Sequence, residues 1–128
     1  MRFVVLHHTD WPGRPDHYDL MLQFAPGEND DSAILKTFAT TRDEFPSPFV
    51  PLKKIADHRR AYLELQGPVS GGRGHVTRMD EGNFRLLSPA EPAWQLVRVE
   101  FFGQILRGMF QLRCTRESDY VLETVSEV

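Results

Sequence analysis

Gln95-Leu96-Val97-Arg98-Val99-Glu100-Phe101-Phe102-Gly103-Gln104-Ile105-Leu106-Arg107-Gly108-Met109-Phe110-Gln111-Leu112-Arg113-Cys114 decides the fold class. Leu96, Arg98 and Glu100 alternate with Val97, Val99 and Phe101, the period of two that a strand imposes because successive side chains leave opposite faces. Gly103-Gln104 supplies a turn and Ile105 to Cys114 resumes the alternation, so the rhythm is that of antiparallel strands. Upstream, His75 to Met79 and Phe84 to Leu87 read as strands around a turn at Asp80-Glu81-Gly82, and Ser88 to Ala93 is a proline-bracketed connection. Downstream, Tyr120 to Val125 closes the count. Towards the amino terminus the same pattern predicts strands at Arg2 to Leu6, His17 to Phe24, Ala33 to Thr40 and Ala61 to Gln66, with Leu52 to Asp57 as a single helical turn. Pro12-Gly13 and Pro15, the turn from Ala25 to Ser32, the irregular Thr41 to Pro51 and the run Gly67-Pro68-Val69-Ser70-Gly71-Gly72-Arg73-Gly74 punctuate them. About eight short strands without a long helix predict an all-β barrel or sandwich.

The length of 128 residues suits one domain, 1-128, with a single core. A hydrophobic content of 41% and a charged content of 26% are those of a folded globular protein. The formal charge of −3 does not announce a nucleic-acid binder, although local basic patches can carry phosphate contacts on an acidic chain. Cys114 stands alone, which excludes a disulfide framework and a thiolate metal cluster; in phase with Leu112 and Phe110, it reads as a small buried hydrophobe. The apolar run after Met1 ends at Leu6, too short for a signal peptide, and no stretch reaches membrane-spanning length. The expectation is a cytoplasmic monomer.

The chemistry concentrates in His7-His8-Thr9-Asp10-Trp11-Pro12-Gly13-Arg14-Pro15-Asp16-His17-Tyr18-Asp19, which holds three of the five histidines. Strand alternation puts His17, Asp19 and Met21 on one face and Tyr18, Leu20 and Leu22 on the other. In the preceding run His8 goes with Val4 and Leu6, and His7 with Phe3 and Val5, so only one of the neighbouring histidines faces the His17/Asp19 pair. If the two strands pair, that histidine, His17 and Asp19 make a set of two imidazoles and one carboxylate. Such a set suits manganese, iron or zinc better than calcium, which favours oxygen ligands. The competing reading is of polar strand-end residues facing water.

The order of motifs adds a resemblance. Phe3-Val4-Val5, His8, His17-Tyr18-Asp19-Leu20, Leu35-Lys36-Thr37-Phe38-Ala39, Asp57-His58 with Tyr62 and Gly67, Met79-Asp80-Glu81-Gly82-Asn83-Phe84 and Leu106-Arg107-Gly108-Met109-Phe110-Gln111-Leu112 follow one another as in a single family. The chain resembles the 3'-phosphoesterase domain of bacterial DNA ligase D and its stand-alone relatives. The resemblance implies an antiparallel β-barrel hydrolase of DNA repair that uses manganese, or another divalent transition metal, to heal 3' ends. Its partners would be DNA or RNA-terminated primer ends and, among proteins, a repair ligase or polymerase. Carried over residue by residue, His8, His17 and Asp19 match the metal ligands. His58 matches the histidine that contacts the scissile phosphate, Tyr62 the tyrosine that follows it, and Arg42 a phosphate-binding lysine.

Two departures stand beside these matches. Met21 occupies the position, on the ligand face, where the family has a phosphate-gripping arginine, and the arm that precedes the family's first strand is expected to be absent. Arg14, introduced by a three-residue expansion between His8 and His17, is a candidate replacement for the cation, as are Arg59, Arg60 and Arg73. Two further readings follow from the departures. One is an inactive barrel that binds nucleic-acid ends or a repair partner through Lys53, Lys54, Arg59 and Arg60; the other is a hydrolase of a small phosphorylated compound.

Overall fold

The computed structural model describes residues 1–41, 45, 47–89 and 94–125. Among these residues nine strands form one antiparallel sheet: β1 (Arg2–Thr9), β2 (His17–Gln23), β3 (Ala33–Thr40), β4 (Phe49–Arg59), β5 (Gly67–Pro68), β6 (His75–Leu86), β7 (Leu96–Gly103), β8 (Arg107–Arg116) and β9 (Asp119–Thr124). They run in the order β1-β2-β3-β4-β9-β8-β7-β6, and pairing of β6 back onto β1 closes an eight-stranded barrel. The two-residue β5 lies on the amino-terminal part of β6 as an extra strand. The expected all-β barrel is therefore the fold. Among the described residues no helix is long and apolar enough to cross a membrane.

Alternation divides each strand between two environments. Phe3 and Val5 of β1, Leu20 and Leu22 of β2, Phe38, Leu52, Val97, Val99, Phe101, Leu112 and Leu122 converge from around the wall to fill the lumen. Phe101 meets Phe3 and Phe110 edge-on, at centroid distances of 5.0 and 5.7 Å, an arrangement that adds to the large apolar area each ring buries. The opposite phase of β1 and β2 is not left to water. Val4, Leu6 and Met21 pack with Leu35, Val76, Tyr62, Leu63 and Val69 in a second apolar cluster on the outer face of the wall. Its roof is the excursion from β4 to β6, which contains two short 3-10 turns, Arg60–Leu63 and Ser70–Gly72.

Several local expectations are overturned. Leu52 to Asp57 is not a helical turn but the middle of the eleven-residue β4, paired with β3 on one side and β9 on the other; two interruptions of register against β3 hide its alternation. Ala61 to Gln66 is not a strand: Arg60–Leu63 is a 3-10 turn whose Tyr62 and Leu63 cap the outer cluster. Asp80-Glu81-Gly82 is not a turn, because β6 runs through it, paired with β1 and β7. A bulge at Met79, where Val5 faces Asp80 and Leu6 faces Arg78, bends the strand instead. Ile105 belongs to a tight turn closed by the Gly103 N–H donating to the Leu106 carbonyl. The run 67–74 is loop apart from β5 and the second 3-10 turn. Cys114 is only half-buried, packing against the edge of the core with its thiol donating to the Glu117 carbonyl at 3.3 Å.

The buried Asp80 holds the turn between β7 and β8. Its carboxylate accepts backbone N–H bonds from Gln104, Ile105 and Leu106 at 2.9, 3.1 and 2.7 Å, and from Glu81 at 2.9 Å. Gly82 has no room for a side chain, since a Cβ there would lie 2.5 Å from the Phe102 carbonyl oxygen across the ladder.

Candidate metal centre

The pairing of β1 with β2 sets His8 opposite His17 and Leu6 opposite Asp19, so all four side chains leave the same face. That face is the outer one, shared with Val4 and Met21, and not the lumen. His7 leaves the other face and stacks on Tyr18, with ring centroids 4.3 Å apart.

His8, His17 and Asp19 are all buried, and their candidate ligand atoms lie within 4.8 Å of one another. Asp19 Oδ2 is 3.3 Å from His17 Nε2 and 3.9 Å from His8 Nδ1. The other nitrogen of each ring is already committed. His17 Nδ1 donates to the Pro15 carbonyl at 3.1 Å, and His8 Nε2 donates to the Arg73 carbonyl. A carbonyl only accepts, so in a neutral ring these bonds fix the proton on the outer nitrogen and leave the lone pair on the nitrogen that faces the carboxylate. Backbone bracing of this kind orients metal-ligating imidazoles. Among the described residues Asp19 Oδ1 is buried with no hydrogen-bond partner, an unsatisfied acceptor beside the two ring nitrogens. The hydrogen bond to Asp19 raises the pKa of His17 against the opposing pull of burial. Two nitrogens and a carboxylate oxygen converging in a buried site fit a divalent transition metal.

The cluster opens into a cleft of about 200 Å³ lined also by Trp11, Arg14, His58, Tyr62 and Arg73. His58, half-buried on β4, donates from Nδ1 to the Ala56 carbonyl at 2.8 Å and meets the Tyr62 ring edge-on at 5.0 Å. The sequence-predicted His58 and Tyr62 are thus brought to the same cleft as the three candidate ligands. Arg42 lies outside the described residues. Met21 is fully buried in the outer cluster and offers the cleft no charge.

The roof contributes through its backbone. Gly74, at φ +82°, lies against the β1–β2 loop, where a Cβ would stand 2.8 Å from the Trp11 nitrogen. That contact brings the Arg73 carbonyl to His8, while the Arg73 guanidinium is tied to the Ser70 carbonyl and hydroxyl at 2.8 and 3.1 Å. Sequence reasoning missed Trp11, whose indole stacks on His8 at 5.1 Å and carries the Arg14 guanidinium 4.5 Å above it. The glycine run at 71–74 was the available signal of close backbone approach. The four cations expected to bind nucleic acid are each paired: Lys53 with Asp119 at 3.1 Å, Lys54 with Asp57 at 3.9 Å, Arg59 with Asp31 at 3.3 Å and Arg60 with Asp30 at 3.1 Å.

Fold and cluster together define a small closed β-barrel carrying a buried two-histidine, one-carboxylate group on its outer wall. Comparison with protein-family models and with curated proteins finds no match to this chain.

Proposed function

We propose that the chain is a metal-dependent phosphoesterase that heals nucleic-acid 3' ends, removing a 3'-phosphate or a terminal ribonucleoside. The observation that carries this reading is the convergence of His8 Nδ1, His17 Nε2 and Asp19 Oδ2 in the cleft that also holds His58 and Tyr62. The motif order of the DNA ligase D 3'-phosphoesterase family supports it. Manganese or another divalent transition metal suits the donor set, and when bound it would polarise a phosphoryl oxygen and acidify water.

The chain's own residues supply the rest. With Nδ1 committed to Ala56, His58 has Nε2 for the substrate. Protonated, that nitrogen hydrogen-bonds a phosphoryl oxygen or gives its proton to the leaving oxygen as the P–O bond breaks and the oxygen of water bonds to phosphorus. Tyr62 holds the His58 ring by its edge contact. In this reading Arg42 adds a phosphate contact, as the family's lysine does.

The test is phosphate release from a recessed 3'-phosphate primer with manganese, comparing wild type with His17→Ala. Release by wild type alone is expected, together with loss of manganese binding in the variant. Equal manganese binding by the two proteins would overturn the reading. Met21 favours a second reading, a barrel that binds 3' ends without turnover. Its signature is salt-sensitive affinity for a 3'-phosphorylated oligonucleotide in a folded, metal-loaded protein that releases no phosphate.

A further inference from the structure

We propose that Arg14, set over the ring of Trp11, is the side chain that grips the substrate's terminal phosphate. The inference rests on the reading of the His8, His17 and Asp19 cluster as a phosphoester site.

Three observations carry it. The first is placement. His8 and His17 face each other across the neck of the β1–β2 loop, and the loop folds back through a hydrogen bond from the Arg14 nitrogen to the Trp11 carbonyl at 3.0 Å. Trp11 stacks on the His8 ring and the Arg14 guanidinium lies 4.5 Å from the centre of the Trp11 ring, so the indole links the guanidinium to a candidate metal ligand. The second is charge. Of the other cations around the cleft and its flanks, Lys53 and Arg59 are paired with carboxylates and Arg73 is bonded to Ser70. Among the described residues Arg14 has no carboxylate partner; the indole face holds it while its N–H edge stays open. A guanidinium held flat by an aromatic ring presents the planar fork that two phosphate oxygens accept.

The third is size. The cleft of about 200 Å³ is smaller than a pocket that encloses a whole nucleotide. It admits a phosphate group. A wider furrow of about 490 Å³ adjoins it, and Arg14 and His17 line both. A phosphate held at their junction leaves the rest of the substrate room in the furrow.

The test titrates inorganic phosphate calorimetrically into the manganese-loaded wild type, Arg14→Ala, Arg14→Lys and Trp11→Leu, with manganese affinity measured separately for each. Arg14 is exposed on a loop, so its substitution leaves the barrel folded. Arg14→Ala is expected to bind phosphate at least about tenfold more weakly at unchanged manganese affinity, as loss of a charge-assisted bidentate contact requires. Arg14→Lys recovers part of the loss. Trp11→Leu falls between wild type and Arg14→Ala, and on a 3'-phosphorylated primer raises KM with kcat little changed, the mark of a positioning residue. Phosphate binding by Arg14→Ala equal to wild type, or none by wild type, overturns the inference. If wild type releases phosphate from the primer and Arg14→Ala keeps its KM, the inference fails while the phosphoesterase reading stands. If wild type binds no manganese, the phosphoesterase reading falls, and the same phosphate titration on the metal-free proteins decides Arg14 alone.

Discussion

Asp19 is the residue that makes two histidines into a candidate metal centre. One of its oxygens faces both rings and the other is buried with no partner among the described residues, so the carboxylate has spare accepting capacity where the ring nitrogens converge. Asp19→Asn keeps the shape and removes the charge. Manganese affinity, measured by calorimetry, is expected to fall by more than the roughly 10- to 100-fold typical of losing an outer-shell partner. Glu123 gives a pH-dependent counterpart far from the site. The Arg113 guanidinium, and after it the Gln111 amide, hold its carboxyl below the ordinary glutamate value. A depressed carboxylate stabilises the fold above its unfolded pKa and loses that contribution as pH falls through the lower folded value. The pair is half-buried and still reached by solvent, which screens it, so the stability involved is small. Carboxyl NMR titration should find the Glu123 midpoint below that of an ordinary glutamate, and Arg113→Ala should return it upward. At this scale the sequence was informative where strand phase decides a side chain's face, as for His8, His17, Asp19 and Met21. It was silent on the carbonyls of Pro15 and Arg73 that fix the two ring protons, since any residue type can present a carbonyl.

Among the elements, β6 shows most plainly what local pattern misses. Asp80-Glu81-Gly82 has the composition of a turn, yet ladder bonds on both sides carry the strand through it. Asp80 turns its carboxylate to the backbone of the neighbouring turn, and Gly82 is required by the approach of Phe102. Asp80→Ala would strand one buried and three part-buried N–H groups and is expected to lower stability by about 3 kcal/mol in urea unfolding, with Asp80→Asn milder because its amide oxygen still accepts. Gly82→Ala should also destabilise, by driving a methyl into the Phe102 carbonyl. Where alternation is uninterrupted, as in β2, β7 and much of β8, strands were legible in the sequence. In β4 it was not: the shifts against β3 break the period of two, and the spacing of Leu52 and Ile55 imitates one turn of a helix.

For the whole molecule, an all-β barrel or sandwich follows from the number of short strands, but closure and the wall that carries the candidate site do not, because they depend on the pairing of β6 with β1 across about seventy residues of chain. The lumen is filled by side chains and leaves the site to the outer face. A metal that binds only the folded state stabilises it by mass action, by about 2.7 kcal/mol at a hundred times its Kd. Manganese should therefore raise the Tm of wild type in thermal scans, a chelator should reverse the rise, and His17→Ala should show neither change. The β1–β2 loop has a further consequence. Its two ends are fixed by the cross-strand His8–His17 pair, while Trp11 and Arg14 ride on the span between. The candidate metal ligands and the proposed phosphate-gripping pair thus sit on separable pieces of chain: a change of length or sequence within the loop would retune what is recognised while the strands beneath it keep the candidate ligand set intact.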